Sequence, residues 1–122
     1  MRCIGIRGAT TVEANTRDAI IAATSELLGE IVERNGVVAD DVASIFFTTT
    51  RDLTAEFPAV AARELGWTST ALLCAHEMDV PGAMPLTLRI LLHVNTERRP
   101  LDIQHIYLRG ARSLRPDLAA QE

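Results

Sequence analysis

An arginine stands inside the most aliphatic stretch of the chain. Arg89 lies in Leu86-Thr87-Leu88-Arg89-Ile90-Leu91-Leu92-His93-Val94, which otherwise reads as a buried strand. A guanidinium cannot give up its charge, so among aliphatic neighbours its donors need an anionic partner. One reading is an ion pair with a carboxylate such as Glu77, or a side chain that snorkels to the sheet edge. The other is an arginine reserved for an anionic or oxygen-rich ligand. Three more arginines, Arg7, Arg63 and Arg115, stand at element ends or in apolar surroundings, with Glu77 and Tyr107 at or beside strand ends. Taken singly, Arg7 reads as a solvated strand end and Arg63 as an ordinary surface arginine. The sequence offers no Ser-His-Asp or Cys-His pair, no phosphate-binding glycine loop and no nucleotide fingerprint. Such a set fits a small polyanionic carboxylate gripped by guanidinium forks, with chemistry that is positional and electrostatic.

Other chemistries are weaker. His76-Glu77-Met78-Asp79 invites a metal, but no HExxH and no second nearby histidine accompany it. A net charge of −4 argues against a nucleic-acid partner. No apolar run approaches the ~18 residues of a membrane span, and the first residues lack a signal-peptide pattern. Cys3 and Cys74, far apart and outside any CxxC, read as free thiols of a cytoplasmic protein. All the basic side chains besides histidine are arginines, so any anion site here is built from guanidinium groups.

The 122 residues make one domain, large enough to bury roughly 65% of the unfolded surface. In order, Arg2 to Ile6 starts a strand, Arg7 sits at its end, and Gly8-Ala9-Thr10-Thr11 reads as a turn with close backbone approach. Asn15 or Thr16 caps a long helix whose apolar stripe is Ile20, Ala23 (or Thr24), Leu27 and Ile31, stopped by Asn35-Gly36. A second strand runs from Val42 to Thr48. Phe57-Pro58 opens a shorter helix that ends at Gly66. Ser69 to Ala75 is a third strand, the Arg89 stretch a fourth, and Ile103 to Leu108 a fifth. Pro116 breaks the tail, so residues 112–122 read as mobile. The plan is α+β: a mixed five-stranded sheet packed against one long helix, plus a short one. One helix leaves a sheet face uncovered, which implies packing on further copies of the chain.

With these segments in place, the chain resembles the small trimeric chorismate mutases of the AroH class from Gly5 to Leu118. The resemblance rests on Gly-Ile-Arg-Gly-Ala-Thr-Thr-Val-Glu (5–13), Asp-Leu-Thr-Ala-Glu-Phe-Pro-Ala (52–59) and Ala-Arg-Glu-Leu (62–65). It continues through Cys-Ala-His-Glu-Met-Asp-Val (74–80), Arg89 in its strand, His-Ile-Tyr-Leu (105–108) and Leu-Arg-Pro-Asp-Leu (114–118).

The resemblance implies a trimeric pseudo-barrel, no cofactor, and the pericyclic rearrangement of chorismate to prephenate on the route to phenylalanine and tyrosine. On that pattern Arg89 faces the ether oxygen, Arg7 binds a carboxylate with Tyr107 beside it, and Glu77 accepts from the ring hydroxyl with Cys74 on the same wall. Phe57, Ala59 and Arg63 come from the neighbouring subunit, while Leu114 and Arg115 close the mouth. Val60 stands where family members carry Lys, and Leu73 where Thr occurs, so both make the pocket wall less polar. Two alternatives on this sequence are a non-catalytic sensor of an aromatic-pathway acid and a deaminase-like trimeric enzyme of similar fold.

Overall fold

The computed structural model describes residues 1–115; of the segment 112–122 read as mobile, residues 116–122 lie outside the described residues. The strands are β1 (Arg2–Thr11), β2 (Val42–Thr49), β3 (Ala71–His76), β4 (Thr87–Thr96) and β5 (Ile106–Tyr107), and the α-helices are α1 (Arg17–Asn35) and α2 (Ala59–Glu64). One sheet holds them in the order β3-β2-β4-β1-β5. Central β4 runs antiparallel to β1 and β2, while β3 and β5 add in parallel at the edges. The α+β plan with one long and one short α-helix is the architecture observed.

Thr16 caps α1 by accepting a hydrogen bond from the Ala19 N–H, and Asp18 puts a negative charge in the first turn. Gly36 ends the helix at φ 60°, a left-handed conformation that costs a glycine little. Between them, Ile20, Leu27, Leu28 and Ile31 pack on Ile4, Ile6, Phe47, Leu88, Ile90 and Leu92 of the sheet. The buried Thr24 hydroxyl is satisfied by the Ile20 carbonyl at 2.7 Å.

β1 corrects the sequence reading. Gly8-Ala9-Thr10-Thr11 is strand and not turn, because β4 offers ladder partners along the whole length, from Arg2 opposite Thr96 to Thr11 opposite Thr87. Arg7 therefore sits within the strand. The glycine is required for packing: a Cβ at Gly8 would lie 2.8 Å from Ile31 Cδ1 and 3.0 Å from Leu27 Cδ1. Gly8→Ala should cost about 1–3 kcal/mol through overpacking. The expected signature is a lower denaturant midpoint at unchanged slope; an unchanged midpoint would mean that both side chains swing aside freely. β5 is shorter than the predicted Ile103–Leu108, since only Gly8 and Ala9 of β1 pair with it. Its two side chains diverge: Ile106 enters the main core and Tyr107 a small cluster with Ala9 and Ala111.

Strand alternation leaves Arg7, Phe46, Leu73, Arg89 and Leu91 on the face away from α1. Leu73 is 56% exposed there, with Phe46 and Leu91 also at the surface.

Candidate active site

The pairing register builds one rung across the helix-free face. Thr48 of β2 and Ala9 of β1 flank Arg89 of β4, and Tyr107 of β5 lies beyond Ala9. Ala9 keeps the middle of the rung low, and the buried Tyr107 ring packs against it. On the next rung Arg7 pairs with Leu91, and Leu91 with Phe46. Glu77, one residue past β3, is fixed by its N–H to the Thr49 carbonyl at 2.8 Å. Its carboxylate reaches back over the face, where Thr48 Oγ1 donates to Glu77 Oε2. Arg7, Phe46, Thr48, Glu77, Arg89 and Tyr107 thus line a cleft of about 240 Å³.

Arg89 meets parts of both sequence readings. Its Nε lies 3.6 Å from Glu77 Oε2, so the pair attracts, with side chains 41% and 33% exposed. That separation is too long for a hydrogen bond, and Arg89 Nε is buried without a hydrogen-bond partner among the described residues. The arginine is therefore neutralised in charge but not saturated in hydrogen bonding. A cation and an anion held side by side in a cleft suit a reaction in which charge separates between two ends of one small molecule.

The remaining predicted residues gather elsewhere. Cys74 alternates to the helix-facing side of β3 and packs on the main core, not on the wall with Glu77. It faces a cleft of about 310 Å³ that Phe57, Glu56, Thr54, Leu53 and His76 also line. Burial pushes the Cys74 thiol pKa up, against smaller opposing effects of the Ala59 main chain and Arg63. Ala59 is buried in the first turn of α2, Arg63 is exposed on the same helix, and Phe57 is 66% exposed. One chain thus carries two clusters: Arg7, Glu77, Arg89 and Tyr107 on the helix-free face, and Phe57, Ala59, Arg63 and Cys74 beside α2. Leu73 belongs to neither cleft, standing on the exposed face at the β3 edge. Leu114 packs on the Ala9–Tyr107–Ala111 cluster, and Arg115 lies close enough to His105 to act on it electrostatically.

Several supports escaped the sequence reading. Thr48 is hidden in a Thr-Thr-Thr run that signals only a strand end. Asn15 does not cap α1: its Oδ1 accepts from the Thr54 and Ala55 N–H groups at 2.8 and 2.9 Å and fixes the loop leading to Phe57. Arg17 braces the same region, 3.4 Å from Glu56 and 3.2 Å from Glu64. Arg109, at φ 52°, donates bidentately to Glu26 of α1 at 3.0 and 2.9 Å and anchors the 3-10 turn Arg109–Ser113 ahead of Arg115. No local spacing announces such long-range partners.

The family model for chorismate mutase type I matches residues 3–118. The chain is 46% identical over 119 residues to chorismate mutase AroH of Thermus thermophilus, covering 97% of this chain and 98% of that one. It is 43% identical over 116 residues to chorismate mutase AroH of Bacillus subtilis, covering 94% and 91%. Among solved structures, a chorismate mutase from Clostridium thermocellum superposes with TM-score 0.89 at 55% identity, covering 90% of this chain and 98% of that one. The fold, the acid–arginine cleft and these likenesses agree: the chain belongs to the type I chorismate mutases and is an isomerase of that family.

Proposed function

We propose that the rearrangement of chorismate to prephenate takes place in the cleft of Arg7, Glu77, Arg89 and Tyr107, completed by the α2 cluster of a second copy in a homotrimer. The observation that carries this reading is the Arg89–Glu77 pair. The reaction breaks an ether C–O bond and forms a C–C bond within one molecule, so no nucleophile or proton carrier is needed. What it needs is a compact, chair-like conformer of a flexible dicarboxylate and compensation of the charge that separates as the C–O bond lengthens. Arg89 puts its guanidinium on the ether oxygen as negative charge grows there. Glu77 accepts from the ring hydroxyl and faces the ring as it becomes electron-poor. Arg7 forks onto a carboxylate, with the Tyr107 hydroxyl beside it.

Phe57, Ala59 and Arg63 enter from the neighbouring copy, with Leu73 at the seam. The separation of the two clusters in one chain and the apolar helix-free face support this arrangement. Cys74, by its position next to Ala59, goes with the neighbour's contribution. Leu114 and Arg115 cover the mouth. Two free thiols suit a reducing cytoplasm, and among the described residues no helix is long and apolar enough to cross a membrane.

The test is to follow the loss of ultraviolet absorbance of chorismate with Arg63→Ala, Arg89→Ala and a mixture of the two refolded together. Each variant alone should be nearly inactive. In randomly mixed trimers a site is intact when its helix-free face comes from an Arg63→Ala chain and its α2 cluster from an Arg89→Ala chain, so about a quarter of the sites recover. A mixture no better than its components would place each whole site within one chain.

A further inference from the structure

The histidine that precedes β5 is not a predicted site residue, yet it meets the substrate cleft from behind. The Arg7 N–H donates to His105 Nδ1 at 3.0 Å. β1 and β5 pair over only Gly8–Ile106 and Ala9–Tyr107, followed by the Leu108 N–H to the Ala9 carbonyl. Where the ladder would otherwise lose contact with Arg7, the imidazole takes its amide. An accepting Nδ1 leaves the ring proton on Nε2, so the contact selects one neutral tautomer. Tyr107 stands two residues further along the chain, in β5, and Asn35 of α1 fixes the segment from the other side: the Gln104 N–H donates to Asn35 Oδ1 at 2.8 Å.

We propose that His105 is a positioning residue for the substrate-carboxylate clamp, its neutral ring holding the Arg7 main chain in register with Tyr107 so that the guanidinium enters the cleft at a fixed place. The proposal rests on the assignment of Arg7 as a carboxylate ligand. The charges acting on the ring are Arg7 from β1 and Arg115 beyond the 3-10 turn, both positive, while Asn35 of α1 brings none. Burial first, and then these two guanidinium groups, lower the His105 pKa. The folded chain thus keeps the acceptor at neutral pH and loses it only when acid forces a proton onto Nδ1. Protonation then removes the bond to Arg7 and adds a third cation beside the carboxylate-binding arginine.

His105→Asn, His105→Leu and Arg7→Ala are compared with the wild type for kcat and KM across pH, with thermal unfolding to confirm folding. Asparagine places its amide oxygen near the position of Nδ1, so it preserves an acceptor without a titrating group. His105→Leu should raise KM about tenfold with a smaller fall in kcat, and His105→Asn should restore most of that loss. Towards acid, kcat/KM of the wild type should drop about tenfold relative to His105→Asn. Both proteins share Glu77 and the substrate carboxylates, so that ratio isolates the imidazole. If His105→Leu binds chorismate as the wild type does, or if wild type and His105→Asn follow the same pH profile, the proposal is wrong. If Arg7→Ala also leaves KM unchanged, the assignment of Arg7 fails with it; a raised KM in Arg7→Ala alone condemns only the histidine.

Discussion

Arg89→Ala should lower kcat by roughly 10²–10³-fold while KM changes by much less. On the proposed reading the guanidinium acts where charge appears during the reaction, so its interaction is strongest in the transition state, and such interactions govern kcat. Its setting strengthens the effect. Arg89 sits on the central strand between Thr48 and Ala9, so its main chain is held on both sides. Its Nε is buried and makes no hydrogen bond among the described residues, so donor capacity is in place before substrate binds. Arg89→Lys should rescue poorly, because one compact ammonium cannot stay beside Glu77 and also span the ether oxygen as a planar fork does. Steady-state kinetics of the two variants decide the matter. A lysine variant near wild-type kcat would reduce the role of Arg89 to simple positive charge, and an active alanine variant would remove the role altogether.

The second large effect concerns the anion of the pair. Glu77→Ala should lower kcat/KM about 10²-fold, since on the proposed reading it removes the acceptor for the ring hydroxyl and the negative charge facing the ring. Thr48→Val should cost tenfold or less, because the hydroxyl acts only by orienting that carboxylate. The double variant makes the argument specific: with Glu77 gone, the Thr48 hydroxyl has nothing left to orient, so adding Thr48→Val should cost nothing further. Additive losses would mean that Thr48 meets the substrate directly.

The sequence exposed those parts of the molecule whose physics is local. The α1 stripe from Ile20 to Ile31, the glycine stop at Gly36 and the Pro58 helix start follow period, capping and backbone restriction, and all three stand where expected. Arg89 was conspicuous because a permanent charge in an aliphatic strand demands a reason. The Gly8-Ala9-Thr10-Thr11 segment misled because it opens on glycine and alanine, weak strand formers taken alone, and a ten-residue ladder with β4 overrides that preference. Cys74 was joined to Glu77 by the family resemblance, whereas alternation along β3 sends it to the other side of the sheet. Thr48, Asn15, His105 and Arg109 stayed silent because each works through a partner at least 29 residues away.

Helix α1 carries no residue of either cluster, yet it holds a border of each. Asn15 and Arg17, just before and at the start of its first turn, tie down the loop that presents Phe57, and Glu26 further along grips Arg109 ahead of Arg115. In the proposed trimer these borders serve different clefts: the Phe57 loop belongs to the neighbour's site and the Arg115 segment to the chain's own. Each α1 is then a brace shared by the borders of two clefts, so a change that loosens its first turns reaches both.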